Sequence, residues 1–144
     1  MIVPDLNLLI YAVNEEAPHH DVARRWWEEC MNGEDPVGLP WVILLGFLRL
    51  TTSARVFSSP MKPADSWAIL ESWLEWPITS IINPGPKHAQ ILKTLVVEHG
   101  TGGNLTTDAH LAALCLEHNA VLHTADNDFG RFASLKWVNP LART

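Results

Sequence analysis

Five short segments suited to extended backbone, MIVP, PVGLP, ITSII, AVLHT and LKWVNP, are separated by longer stretches whose apolar residues recur at helical spacing. This alternation restricts the fold more than any other feature of the chain. Successive strands joined by helical crossovers pair in parallel, and the helices then cover both faces of the sheet. The expectation is an α/β protein, a three-layer α/β/α sandwich around a mainly parallel sheet. With no internal repeat, low-complexity tract or long linker, the 144 residues fit one domain over 1–144 with a substantial core.

The helical stretches carry their own punctuation. DLNLLIYAV follows the first strand, which ends before Asp5 and tolerates Pro4 at its end or on an edge. HHDVARRWWEECMNG is stopped by Gly33, and WVILLGFLRLTT reads as a mostly buried helix. After the looser SARVFSSPMK, Pro63 opens the helix PADSWAILESWLEW near its first turn. KHAQILKTLVVEHG ends at Gly100, and LTTDAHLAALCLEHN follows, with Thr106 or Thr107 placed to cap it. Between them, GTGGN reads as a turn. It offers backbone N–H groups but lacks the Lys-Ser/Thr of a phosphate-binding loop.

Composition excludes several classes. The chain is 47% hydrophobic, as a folded globular protein should be, and no apolar run reaches the roughly 20 residues of a membrane helix. The longest, WVILLGFL, is closed by Arg49. MIVPDLN has neither the basic nor the long apolar region of a signal peptide. Cys30 and Cys115 lie on helical patterns without CxxC spacing, which fits reduced thiols and a cytoplasmic location. A formal net charge of −6 provides no broad basic surface, so nucleic-acid binding would require a local patch or bound cations.

The acidic residues gather at element boundaries. Asp5 directly follows MIVP, Asp126 comes just after AVLHT, and Asp108 lies in the first turn of its helix, beyond GTGGN. Each alone reads as a helix cap. Together, on one edge of a parallel sheet, they form an acidic cup at the place where such sheets bind ligands. LHTADNDFGRF adds Asp128, with only Arg131 nearby to offset the charge. Clustered carboxylates without histidine or cysteine partners suit a hard cation, Mg²⁺ with Mn²⁺ as a substitute, which relieves their repulsion and can activate water against a phosphodiester.

Three motifs in order, MIVPDLNLLIYA, LTTDAHLAALCLEH and HTADNDFGRF, make the chain resemble the PIN domain, and within it the VapC-type toxins of bacterial toxin–antitoxin pairs. The resemblance spans nearly the whole chain. It implies a Rossmann-like fold and a metal-dependent ribonuclease, with Asp5, Asp108 and Asp126 as direct ligands and Asp128 supporting through water or orientation. It also implies an RNA substrate, a VapB-like antitoxin and a homodimer. One departure matters: where many PIN nucleases carry glutamate in a pattern like E-F-x-R, this chain reads GFLR, so Gly46 stands at the expected acid. A catalytically weak or inactive protein that binds RNA or antitoxin is therefore the second reading. A phosphatase of the haloacid-dehalogenase type fits less well, because DLN lacks the second aspartate of D-x-D and no later lysine motif is found.

Other residues have lesser expected roles. Asn7 could orient Asp5 or a water, and Thr107 and Thr124 could hydrogen-bond a carboxylate or satisfy nearby backbone. Arg49, Arg55 and Arg131 are candidate phosphate contacts, against a default of solvated surface arginines. The histidines, His110, His118 and His123 among them, show no metal-ligand spacing and read as structural. Of seven tryptophans, Trp26, Trp27, Trp67, Trp73 and Trp76 share two helical stretches without one common face. They read either as core residues packed against different neighbours or, in part, as the surface of a homodimer or antitoxin groove.

Overall fold

The computed structural model describes residues 1–142, so 143–144 of the expected domain lie outside the described residues. The elements follow the expected order. They are β1 (Ile2–Pro4), α1 (Leu6–Val13), α2 (His20–Asn32), β2 (Val37–Pro40), α3 (Trp41–Thr51), α4 (Pro63–Leu74), β3 (Thr79–Ile82), α5 (His88–His99), α6 (Leu105–Glu117), β4 (Val121–His123) and β5 (Trp137–Val138). All pairings are parallel, in the order β3-β2-β1-β4-β5. Helix α1 packs on both α2 and α3, α3 packs on α4, and α5 packs on α6, completing the α/β/α sandwich. No helix among the described residues is long and apolar enough to cross a membrane.

The topology explains where a site can form. The chain steps outward from β1 to β2 to β3, then returns to β4 on the other side of β1. The crevice outside the carboxyl ends of β1 and β4 is the switch point, where neighbouring crossovers leave in opposite directions. Register fixes both mouths at one level: Pro4 pairs with His123, and the Asp5 amide donates to the His123 carbonyl at 2.8 Å. Pro4 has no N–H to give to the β2 side of this central strand, and β1 pairs with β2 only at Ile2 and Val37, while Asp5 continues the bonding to β4.

The core lies on both sides of these strands. Val3, Val37, Leu39 and Leu122 are wholly buried, with Leu8, Leu9 and Phe47 packed over them from the early helices and Ala112 and Cys115 from α6. Both cysteines are buried and outside any disulfide among the described residues. A buried polar link, Thr51 to Ser66 at 2.6 Å, ties α3 to α4, while the Thr51 hydroxyl also donates to the Phe47 carbonyl. The link pairs two hydroxyls that would otherwise be desolvated at a cost.

Several local expectations are corrected. Asn104, not Thr106 or Thr107, is the N-cap of α6, and no side chain caps it. The Thr106 hydroxyl instead reaches back to the Thr101 carbonyl, because GTGGN coils into a turn with Gly100 at φ +90° and Gly103 at φ +59° that starts the helix earlier. Helix α4 ends at Leu74, leaving Trp76 in the following turn with its indole N–H on the Met31 carbonyl. In α3, the expected burial is incomplete: Trp41 and Leu45 are exposed. Trp26 and Trp27 are buried whereas Trp41, Trp67 and Trp76 are exposed, so the reading of all the tryptophans as core does not hold.

Candidate active site

Asp5 stands at the mouth of β1 and is the N-cap of α1, so the capping reading holds, and the same residue also lines the site's cavity. Its Oδ1 accepts the Leu6 amide at 2.7 Å and its Oδ2 accepts the Thr124 hydroxyl at 2.7 Å. Thr124 is wholly buried, and its oxygen also accepts the Asp126 amide at 2.9 Å. One hydroxyl thus links the first carboxylate to the backbone of the second, across 119 residues of sequence. The chain then turns into a short 3-10 helix, Asn127–Arg131, which the sequence pattern did not reveal. Asp126 caps it by accepting the Asp128 amide at 2.9 Å. Asn7 accepts the Ala125 amide at 3.5 Å, so it braces the strand exit rather than Asp5 itself.

These elements enclose a cavity of about 390 Å³ lined by Asp5, Asp108 and Asp126. Arg49, Asn104 and Thr107 add polar groups, and Leu6, Val42, Ile43, Leu50 and Leu111 form an apolar wall. The sequence had singled out Arg49 and Thr107, but not Asn104 or the apolar wall. Asn104 was legible only as part of a turn, and the apolar residues only as helix-face residues. Asp128 and Arg131 stand outside the lining, 3.6 Å from each other, with the Arg131 side chain also donating to the Asp128 carbonyl. Arg55 is exposed in the segment after α3 and does not reach the cavity.

The electrostatics show strain between like charges. Burial raises the Asp5 carboxyl above its usual range, the Thr124 and Leu6 hydrogen bonds oppose that rise, and the Asp126 charge adds to it. Asp108 is pushed up to about 6 by burial and by Asp5 and Asp126; Arg131 offsets part of this and Asp128 adds to it. Near neutral pH the site therefore concentrates anionic charge against its own preference. Burial and the Asp5 charge push the Cys115 thiol up to about 12, so it stays neutral and is no nucleophile.

The donors suit a hard cation in type: carboxylate oxygens, at a site whose charges favour neutralisation. Among the described residues, however, no three acidic, histidine or cysteine side chains already stand together as a ligand set. Their mutual repulsion gives the physical reason for that spread. The histidines are engaged elsewhere, as expected: His110 pairs with His88 at 3.0 Å, His118 meets the Asn83 carbonyl, and His123 accepts from the Trp26 indole.

The Thr124 bridge gives a test of this geometry. Thr124→Val keeps the shape but removes the donor to Asp5 and leaves the buried Asp126 amide unpaired. We expect a loss of about 1–3 kcal/mol of stability and a fall in any activity of roughly 10–100-fold. Thr124→Ser should stay near the parent. Thermal unfolding and RNA cleavage, measured on both variants, check this; a Val variant as stable as the parent would refute the bridge.

Comparison with known proteins identifies the family and the fold. The PIN domain family model matches residues 2–135. Ribonuclease VapC33 of Mycobacterium tuberculosis is 45% identical over 141 residues, covering 98% of this chain and 99% of that protein. Ribonuclease VapC37 of the same species is 42% identical over 142 residues, covering 99% of each. Among solved structures, the VapBC2 complex of Rickettsia felis bound to a promoter DNA fragment contains a similar chain. Its TM-score is 0.70 at 21% identity, covering 96% of this chain and 98% of that one. VapBC-1 of nontypeable Haemophilus influenzae gives 0.66 at 20% identity, covering 97% and 98%. With one family model spanning nearly the whole chain and relatives matched end to end, the chain belongs to the PIN-domain family, in the branch of the VapC ribonucleases.

Proposed function

We propose that the protein is a Mg²⁺-dependent endoribonuclease, with Mn²⁺ able to substitute, and the toxin of a VapBC-like toxin–antitoxin pair acting in the cytoplasm. The observation that carries this reading is the convergence of Asp5, Asp108 and Asp126 on one cavity at the sheet's switch point, with the Asp108 carboxyl raised to about 6 by burial first and then by its acidic neighbours. Asp5, Asp108 and Asp126 would hold the ion, and Asp128 would contribute from outside the lining through water or by orienting Asp126. A bound divalent ion supplies Lewis-acid stabilisation of a phosphodiester and a more acidic water.

The chain's own residues do the rest. Thr124 and the Leu6 amide fix both Asp5 oxygens, so the carboxylate meets its ligand preorganised. Arg49, exposed on α3 and lining the cavity, is placed to meet a backbone phosphate. Arg55 and Arg131 lie outside the lining and would act only on RNA extending beyond it. The apolar wall from Leu6 to Leu50 excludes water from one side of the site, which strengthens charge interactions within it. The proposed partners are a VapB-like antitoxin covering the acidic cavity, a reading supported by the VapBC complexes among the similar structures, and a second copy of the chain using exposed aromatics such as Trp41.

The test is cleavage of a total-RNA pool by purified protein freed of antitoxin, with Mg²⁺, with Mn²⁺ and with chelator. Discrete products with either ion and none with chelator are expected. A folded protein that binds RNA but cleaves under neither ion would favour the second reading, an RNA- or antitoxin-binding protein of weak or no activity. One observation keeps that reading in view: Gly46 presents no acid, and its place is covered.

A further inference from the structure

Helix α3 turns one face to the cavity. Val42, Arg49 and Leu50 line it, and residues four and three or four positions apart on a helix lie one above another. Gly46 falls between Val42 and Leu50 on that face, yet it is buried and absent from the lining. The reason is Leu6. A Cβ at position 46 would stand 2.5 Å from Leu6 Cδ2, closer than packed carbons approach, with Leu6 Cγ and Cδ1 at an ordinary contact distance of 3.6 Å. Leu6 belongs to the cavity wall, and its amide holds Asp5.

We infer that Leu6 is the positioning residue that closes the fourth corner of the acidic site, occupying the volume into which a side chain at position 46 would project and so fixing the number of carboxylates that can face a cation. Gly46 is then not a vacancy awaiting an acid. It is the small half of a packed pair. Restoring glutamate alone would force the leucine methyl aside within the cavity wall rather than add a ligand. The metal part of this inference rests on the function proposed above; the packing part does not.

Two measurements test it, both on the whole purified chain. The first is thermal unfolding in chelator. Gly→Ala inside a helix ordinarily raises Tm by a few degrees. Here Gly46→Ala is expected to lower Tm in the parent and to raise it in a Leu6→Ala background. An increase of similar size in both backgrounds would overturn the pairing.

The second is Mn²⁺ affinity by calorimetry, on the parent, Gly46→Glu, Leu6→Ala and Leu6→Ala/Gly46→Glu. The double variant is expected to bind about tenfold tighter than the parent, because site affinity follows the number of ligating charges, with Gly46→Glu alone within about twofold of the parent and Leu6→Ala alone no tighter than it. The inference is overturned if Gly46→Glu alone binds as tightly as the double variant, or if the double variant gains nothing over a parent that does bind. Should none of the four bind Mn²⁺, the proposed metal function fails instead, and the Tm reversal alone upholds or refutes the role of Leu6. If Gly46→Glu does not fold, the alanine pair still decides the packing.

Discussion

Replacing Asp5 by asparagine should reduce RNA cleavage by about a hundredfold or more, the scale of loss when one preorganised electrostatic group is removed from a site. The substitution is nearly isosteric, and the asparagine carbonyl can still accept the Leu6 amide that caps α1. What disappears is the negative charge and the acceptor for the Thr124 hydroxyl. The fold should therefore survive, with Tm within a few degrees of the parent, while discrete products with Mg²⁺ or Mn²⁺ vanish. Cleavage assays of parent and variant side by side, with circular dichroism to establish folding, give the readout. Undiminished cleavage by a well-folded Asp5→Asn protein would remove Asp5 from the chemistry and leave it a helix cap.

Asp108→Asn should separate activity from stability in opposite directions. The Asp108 carboxyl is raised to about 6 in the fold, by burial first and then by Asp5 and Asp126. A raised folded-state value means that the native protein holds the proton more tightly than the unfolded chain. The associated stability is fully present below the ordinary aspartate range and is lost as pH rises through about 6. At neutral pH the cation-free protein thus carries a penalty that the neutral amide lacks. The group is partly exposed, so solvent screening reduces the benefit to on the order of 1 kcal/mol, or a few degrees in Tm.

Divalent ions should reverse the ranking. Binding to the native state raises the parent's Tm as ion concentration exceeds Kd, and the variant should gain far less. Cleavage by the variant should fall on the order of a hundredfold. Thermal scans at pH 5 and pH 7, with chelator and with Mn²⁺, check each part. The stabilising effect should shrink at pH 5, where Asp108 is largely protonated. A variant less stable than the parent in chelator at pH 7 would contradict the charge crowding, and equal Mn²⁺ shifts in both proteins would contradict Asp108 as a ligand.

Much of this was legible from local pattern. Runs such as ITSII and AVLHT, set between helical stretches, announced a parallel sheet because strand and helix periodicities are properties of a few neighbouring residues. Pro63 at the first turn of α4 and Gly100 closing α5 are backbone constraints of single residues, and both appear as expected. The fine edges were less legible. Thr106 and Thr107 have the chemistry of caps, but the turn with two positive-φ glycines starts the helix at Asn104, and no residue-by-residue preference contains that geometry. The seven tryptophans could not be sorted either, since burial depends on which helix faces which neighbour.

By itself, the sequence determined the alternating architecture, the order of the motifs, and the carboxylates at the ends of strands and the start of a helix. The tertiary structure decided which of these share a space. Asp5 and Thr124 lie 119 residues apart and meet through the pairing of β1 with β4. That same register placed Asp126 on the cavity and left Asp128, two residues on, facing Arg131 outside it. Gly46 looked like an absence until Leu6, from another helix, proved to occupy its place. The physical reason is one of range: periodicity, capping and turn chemistry act over a few residues, whereas excluded volume and charge crowding act between whatever the sheet register brings within a few ångströms.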